Sequence, residues 1–84
     1  MGTLHGLLAP ATAGLARQRF GLTPRQMEII EGVLEGCTNK DMARKFSVSE
    51  HTVKHHLTNI FDKLGVSNRL ELVLFAAEHL TKIQ

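Results

Sequence analysis

The sequence predicts an all-α domain, a four-helix bundle that contains a helix-turn-helix. Three observations lead to this prediction. Apolar residues recur at helical spacing in four segments, the segments open with capping residues, and none alternates with the period of a strand. The 84 residues, of which 43% are hydrophobic, suffice for one small domain. Residues 1–21 show no sustained period and are predicted to form a flexible N-terminal arm or linker, whereas residues 22–84 form the domain.

The first helix is predicted to begin at Thr23-Pro24 and to end at Gly36. Threonine is a favoured N-cap, proline is favoured at the first helical position, and Gln26 completes a capping box. Gly36 is expected to end the helix in a left-handed conformation. Gly32 lies inside the helix, where it costs about 1 kcal/mol relative to alanine. The close approach of a neighbouring helix would explain this glycine.

The second helix is predicted to be short and to lead into a tight turn. Thr38 is its N-cap, and Asp41 closes a second capping box. Ser47 and Val48 form the turn, with Val48 reaching the core. The side chains of this helix that are expected to point inward are Met42, Ala43 and Phe46.

The third helix is predicted to start after Ser49, to end at Gly65 and to carry one apolar stripe. The stripe consists of Val53, Leu57, Ile60, Phe61 and Leu64. The opposite face exposes His51, His55, Thr58, Asn59 and Asp62, with Lys54 on its flank. Solvated helix faces usually hold Glu and Lys pairs, whereas most of these side chains are donors or short polar groups. Because a helix fits the major groove of DNA, this face favours a duplex-DNA reader over a merely solvated surface.

The fourth helix is predicted to run from Asn68 to about Leu80 and to be apolar on two sides. The residues expected to face the core are Leu70, Val73, Leu74, Ala77 and Leu80. Leu72, Ala76 and Ile83 then fall on a second apolar strip. A terminal helix of this kind usually covers a partner, so the strip predicts a twofold homodimer. Packing against the N-terminal arm or against a further domain is the alternative.

The charge and the cysteine content limit the class of protein. The net charge is only +2, but the bases concentrate in the second and third helices and the acids in the first, which suits docking on a polyanion. No apolar run approaches the ~18 residues that a bilayer span needs, so no membrane association is predicted. Cys37, the single cysteine, excludes an intramolecular disulfide and fits a reducing cytoplasm.

Two rival kinds of chemistry have weaker support. His51 and His55 have a spacing that can chelate a metal, but a zinc site needs further ligands, so no metal and no cofactor are predicted. Cys37 is more readily a buried filler than a redox sensor. No residues are ordered as a catalytic relay, and the domain is not expected to be an enzyme. A protein-interaction module that has lost DNA binding is the second functional class.

Several segments together resemble the LuxR/FixJ-type (GerE-like) helix-turn-helix DNA-binding family over about residues 22–80. They are Leu22 to Arg25, Gly36 to Ala43, Val48 to His56, Asn59-Ile60, and Lys63 to Val66 with Arg69. Thr58 departs from the pattern, because many relatives have a longer polar or basic side chain there. Gly32, which replaces an apolar residue, is a second departure.

The resemblance implies a third helix that enters the major groove and a fourth that makes a homodimer. It places Lys54, His55 and Thr58 against the bases. Contacts with the phosphate backbone are implied for Thr38, Asn39, Lys40 and Thr52, and we add His51 at the exposed start of the third helix. The expected partners are double-stranded DNA, a second copy and RNA polymerase. Because relatives often attach this domain to a receiver, the output domain of a bacterial response regulator is expected.

Overall fold

The computed structural model describes residues 18–80, and the regular elements in that range are all α-helices. Helix α1 covers Pro24–Leu34, α2 covers Asn39–Phe46, α3 covers Glu50–Leu64 and α4 covers Arg69–His79. Residues 18–20 are helical as well. The all-α prediction and the order of its four helices are therefore confirmed, with α2, a short turn and α3 forming the helix-turn-helix.

Side-chain caps fix where the helices begin. Thr23 Oγ1 accepts a hydrogen bond from the Gln26 N–H at 3.1 Å, and the Thr23 N–H donates to Gln26 Oε1 at 3.0 Å. Thr38 and Asp41 make the same reciprocal pair at the start of α2, with both distances 3.0 Å. Ser49 caps α3. These bonds satisfy N–H groups that a helix leaves without partners, and they confirm the predicted starts.

The core lies where α1 meets α3 and α4, while α2 packs against α3. All four helices contribute to it. The largest side chains with almost no exposed surface are Ile29, Ile30, Met42, Val53, Ile60, Leu72 and Leu80. The predicted stripe of α3 is confirmed, because four of its members are buried and Phe61 packs half-buried against them.

Gly32 in α1 faces the side chain of Met42 in α2. A Cβ atom at this position would lie 2.8 Å from Sδ of Met42 and 3.2 Å from its Cγ. Met42 is fully buried, so its side chain has no solvent to move into. The expectation that a neighbouring helix explains this glycine is confirmed.

The predicted orientation of α4 is wrong for most of its residues. Leu72 and Ala76 have no exposed surface and lie in the core of this one chain, so they are not available to a second chain. Leu70 and Leu74, which were expected inside, are 68% and 60% exposed. Apolar residues occupy most positions round this helix, so its packing against α1, rather than its own pattern, decides which side is buried. Ile83 lies outside the described residues.

Two residues before the predicted start of the domain contact its helices. The ring of Phe20 meets the ring of Phe75 edge-on, with 5.3 Å between centroids. Lys63 Nζ donates to the backbone oxygen of Gly21 at 2.6 Å. Phe20 is thus packed on the domain and Gly21 is bonded to it, although both fall in the arm predicted for 1–21; residues 1–17 lie outside the described part. Between residues 18 and 80, no helix combines the length and apolarity that a membrane span requires.

Candidate nucleic-acid interface

The turn between α2 and α3 is built by Ser47 and Val48, as predicted. Ser47 adopts a left-handed conformation, with φ 58° and ψ 45°, which ends α2 abruptly. The Val48 N–H then donates to the Ala43 oxygen at 2.9 Å, and the half-buried Val48 side chain packs against the core. These contacts fix the direction in which α3 leaves the turn.

The face of α3 opposite the core is polar and open. Lys54, His55 and Thr58 are all exposed, as is His51 one turn earlier. From His51 to Thr58 the helix rises about 10 Å, at 1.5 Å per residue. That length matches roughly three base pairs at 3.4 Å each. The face predicted for base contact is therefore accessible and has a suitable length.

Thr58 has its hydroxyl engaged within the helix. Its Oγ1 donates to the backbone oxygen of Lys54 at 3.1 Å. This back-bonding to the preceding turn is a known use of threonine hydroxyls in helices.

The start of α2 presents donors beside this face. The backbone N–H groups of Asn39 and Lys40, in the first turn, have no partner within the helix, and they lie at the positive end of its dipole. The N–H of Thr38 is committed to the capping box. Hydrogen bonds from Thr38 lower the pKa of the Asp41 carboxyl, which holds this group as a carboxylate near neutral pH.

Thr52, in the first turn of α3, is tied to the cap of that helix. Its N–H donates to Ser49 Oγ at 3.0 Å, and the two hydroxyls lie 3.0 Å apart. Thr52 is half-buried, in contrast to its exposed neighbour His51. His51 and His55 stand one turn apart, but in residues 18–80 no three His, Cys, Asp or Glu side chains converge as metal ligands would.

Arg69 is a residue whose role was not predicted from the sequence. It lies at the start of α4, and its Nη1 donates to Asn39 Oδ1 at 3.0 Å while Nη2 donates to the Cys37 oxygen. Because the amide oxygen of Asn39 is occupied, its NH₂ group is the part left to donate to another molecule. Arg69 was part of the family pattern, but 30 residues separate it from Asn39, so the sequence did not indicate this hydrogen bond.

Two grooves show that these residues adjoin one another. One groove, of about 330 Å³, lies between α3 and the start of α4, and Asn39, Lys54, Thr58 and Arg69 contribute to its lining. The second, of about 460 Å³, is lined by Thr38, Asn39 and Lys40 together with residues from α1, α3 and α4. Residues predicted for base contact and for backbone contact therefore lie on adjoining surfaces.

The family of this chain follows from its similarity to known proteins. Residues 21–76 match the model of the bacterial regulatory proteins of the luxR family (GerE). An HTH-type transcriptional regulator of Mycobacterium bovis is 44% identical over 62 residues, which are 74% of this chain and 7% of that protein. The monoamine regulon transcriptional regulator of Klebsiella aerogenes is 52% identical over 52 residues, covering 62% of this chain and 23% of that protein.

A solved structure agrees with the sequence matches. The crystal structure of the response regulator ChrA, from a heme-sensing two-component system, is 38% identical with a TM-score of 0.65. The similarity covers 84% of this chain and 38% of ChrA. This chain thus spans a minor part of the regulators that it matches. It belongs to the luxR family of bacterial regulatory proteins and has the helix-turn-helix fold of their output domains.

Proposed function

We propose that this domain binds double-stranded DNA sequence-specifically, with α3 in the major groove, as the output domain of a bacterial response regulator. The observation that carries the proposal is the surface where the open face of α3 adjoins the start of α2. Base-reading side chains and backbone-directed donors are the two kinds of group that a duplex reader needs side by side. Its relatives are named as transcriptional regulators, which agrees with this function.

The roles divide by position on the surface. Lys54 and His55, which are long and exposed, are proposed to meet base edges together with Thr58. The residues proposed for phosphate contact are Thr38, Asn39, Lys40, His51 and Thr52. Among these, Asn39 and Lys40 are the best placed, because they combine free helix N–H groups with a side-chain amide and an ammonium group.

We also propose that a twofold homodimer forms through α4, by a face other than the one predicted. Leu70 and Leu74 are exposed large apolar side chains one turn apart, and Leu74, Ala77 and Glu78 line an open groove beside them. Two copies joined here would present two α3 helices to half-sites about one DNA turn apart. Contact with RNA polymerase stays a prediction of the family resemblance. The cytoplasm is the proposed location, because it holds the bacterial chromosome.

The exposed apolar face of α4 also supports a second function, a module that binds a partner protein through this helix. The two functions differ in how strongly binding depends on charged side chains and on salt. DNA binding depends on positively charged side chains that displace counterions from the phosphates, so its affinity falls as salt is added. An apolar contact with a protein lacks this salt dependence.

The test is fluorescence anisotropy with a labelled pool of random duplexes, titrated with salt from low to physiological concentration. We expect affinity to fall linearly on a plot of log K against log salt. Lys54→Glu should abolish binding, since it places an acid on the proposed groove-facing surface. Arg19→Glu makes the same change in net charge on the segment that packs near α4, and it should retain most of the binding. No binding at low salt would favour the protein-partner function. Equal losses in both variants would show that net charge, and not the face of α3, carries the binding, and would contradict the proposed surface.

A further inference from the structure

We infer that Thr58 reads DNA through its methyl group, so that it selects a thymine, and that its hydroxyl takes no part as a donor to bases. This inference rests on the proposed entry of α3 into the major groove. It concerns one residue of that surface and the chemical group that it recognises.

The hydrogen bond within α3 carries the inference. A threonine in the major groove has two means of recognition, a hydroxyl for polar base edges and a methyl for the thymine methyl. In this structure the Thr58 hydroxyl donates to the Lys54 oxygen at 3.1 Å. Its single proton is therefore used, and guanine O6 and N7, which accept only, cannot be bound by it. The methyl, the other branch on Cβ, carries no such commitment.

The surroundings of Thr58 favour an apolar contact as well. The residue is exposed on the face opposite the core. It lines the groove between α3 and the start of α4, where Leu57 and Phe61 contribute apolar surface. A base methyl placed against these two side chains would be removed from water.

Two single-residue variants separate the two branches of the side chain. Thr58→Val keeps a methyl in the same position and replaces the hydroxyl by carbon, and valine in a helix adopts the rotamer that this requires. Thr58→Ser keeps the hydroxyl and removes the methyl. Because Thr58 is exposed, both variants are expected to fold, and circular dichroism melting of the free domain checks this.

The experiment first selects the preferred duplex from a random pool with the wild-type domain. Each thymine of a half-site is then replaced singly by deoxyuridine, which removes only the methyl. At one thymine, we expect replacement by deoxyuridine to lower the affinity of both the wild type and Thr58→Val about four-fold. This ratio corresponds to the burial of one methyl-sized group. Thr58→Ser should bind the two duplexes equally well.

Three results would overturn the inference. The first is a selected half-site in which no thymine responds to deoxyuridine. The second is that every responsive thymine keeps its effect in Thr58→Ser, since other residues would then contact those methyls. The third is a loss of affinity in Thr58→Val with retention in Thr58→Ser, since the oxygen would then be the reading group. Failure of the wild type to bind any duplex would instead refute the proposed function itself.

Discussion

Gly32→Ala tests the packing that positions α2 and, through it, the helix-turn-helix. Two effects oppose each other. Alanine inside a helix is favoured over glycine by about 1 kcal/mol. The new methyl, however, would lie 2.8 Å from Sδ and 3.2 Å from Cγ of the fully buried Met42, so one side chain or helix must shift. Overpacking of a core typically costs about 1–3 kcal/mol. The sum is a loss of about 0–2 kcal/mol in the free energy of unfolding.

Urea denaturation followed by circular dichroism measures this change, and thermal melting provides a second measure. A loss of about 1 kcal/mol would lower the melting temperature of a domain of this size by roughly 4–8 °C. The matched background is Met42→Val, which removes Sδ. There, Gly32→Ala should cost less or should stabilise, because the nearest of the atoms that it meets is gone, and the difference between backgrounds is the coupling energy. A gain of about 1 kcal/mol in the wild-type background, or the same effect in both, would refute the packing argument.

Three further predictions concern the site, the pH dependence and α4. Arg69→Ala should weaken DNA binding about ten-fold in anisotropy, because the Arg69 guanidinium that orients the Asn39 amide is lost. Unchanged affinity would contradict this orienting role of Arg69. The pKa of Asp41 is lowered in the fold. The stability that this carboxyl contributes is therefore present above its unfolded pKa of 3.8 and is lost as pH falls through the lower folded pKa. Urea titrations of Asp41→Asn at several pH values should show a shallower acid loss than the wild type. Leu74→Glu should abolish self-association in analytical ultracentrifugation at little cost in stability. The control Leu72→Ala should instead lower the free energy of unfolding by about 2–5 kcal/mol. Loss of stability in Leu74→Glu but not in Leu72→Ala would contradict the assignment of the buried and exposed faces of α4.

The parts of the fold that the sequence predicted well depend on residues close together in the chain. Thr23 and Thr38 cap their helices through partners three residues away, and such pairs are visible in the sequence. The apolar stripe of α3 was also predictable, because Leu57 and its neighbours repeat on one side of the helix while the other side is polar. Gly32 was a useful signal because a glycine inside a helix requires a reason, and Met42 supplies one.

The errors arose where contacts between distant residues decide the outcome. Leu72 and Leu74 are equally apolar, so only the packing of α4 against α1 distinguishes the buried one from the exposed one. Phe20 follows a segment without periodicity, and Phe75, the residue that it contacts, lies more than fifty residues away along the chain. Arg69 reaches the start of α2 in the same way. For the interface, the exposed positions of α3 could be predicted from periodicity, but the engagement of the Thr58 hydroxyl could not.

The central claim, that the open face of α3 and the start of α2 contact duplex DNA, is tested most directly by NMR. The measurement is a titration of the ¹⁵N-labelled domain with a duplex selected from a random pool. We predict that amide shifts change mainly at residues 38–40 and 51–58, and that the guanine H8 and thymine methyl proton signals, which report on the major groove, change in the DNA. Changes confined to α4 around Leu70 and Leu74, with residues 51–58 unaffected, would contradict the account.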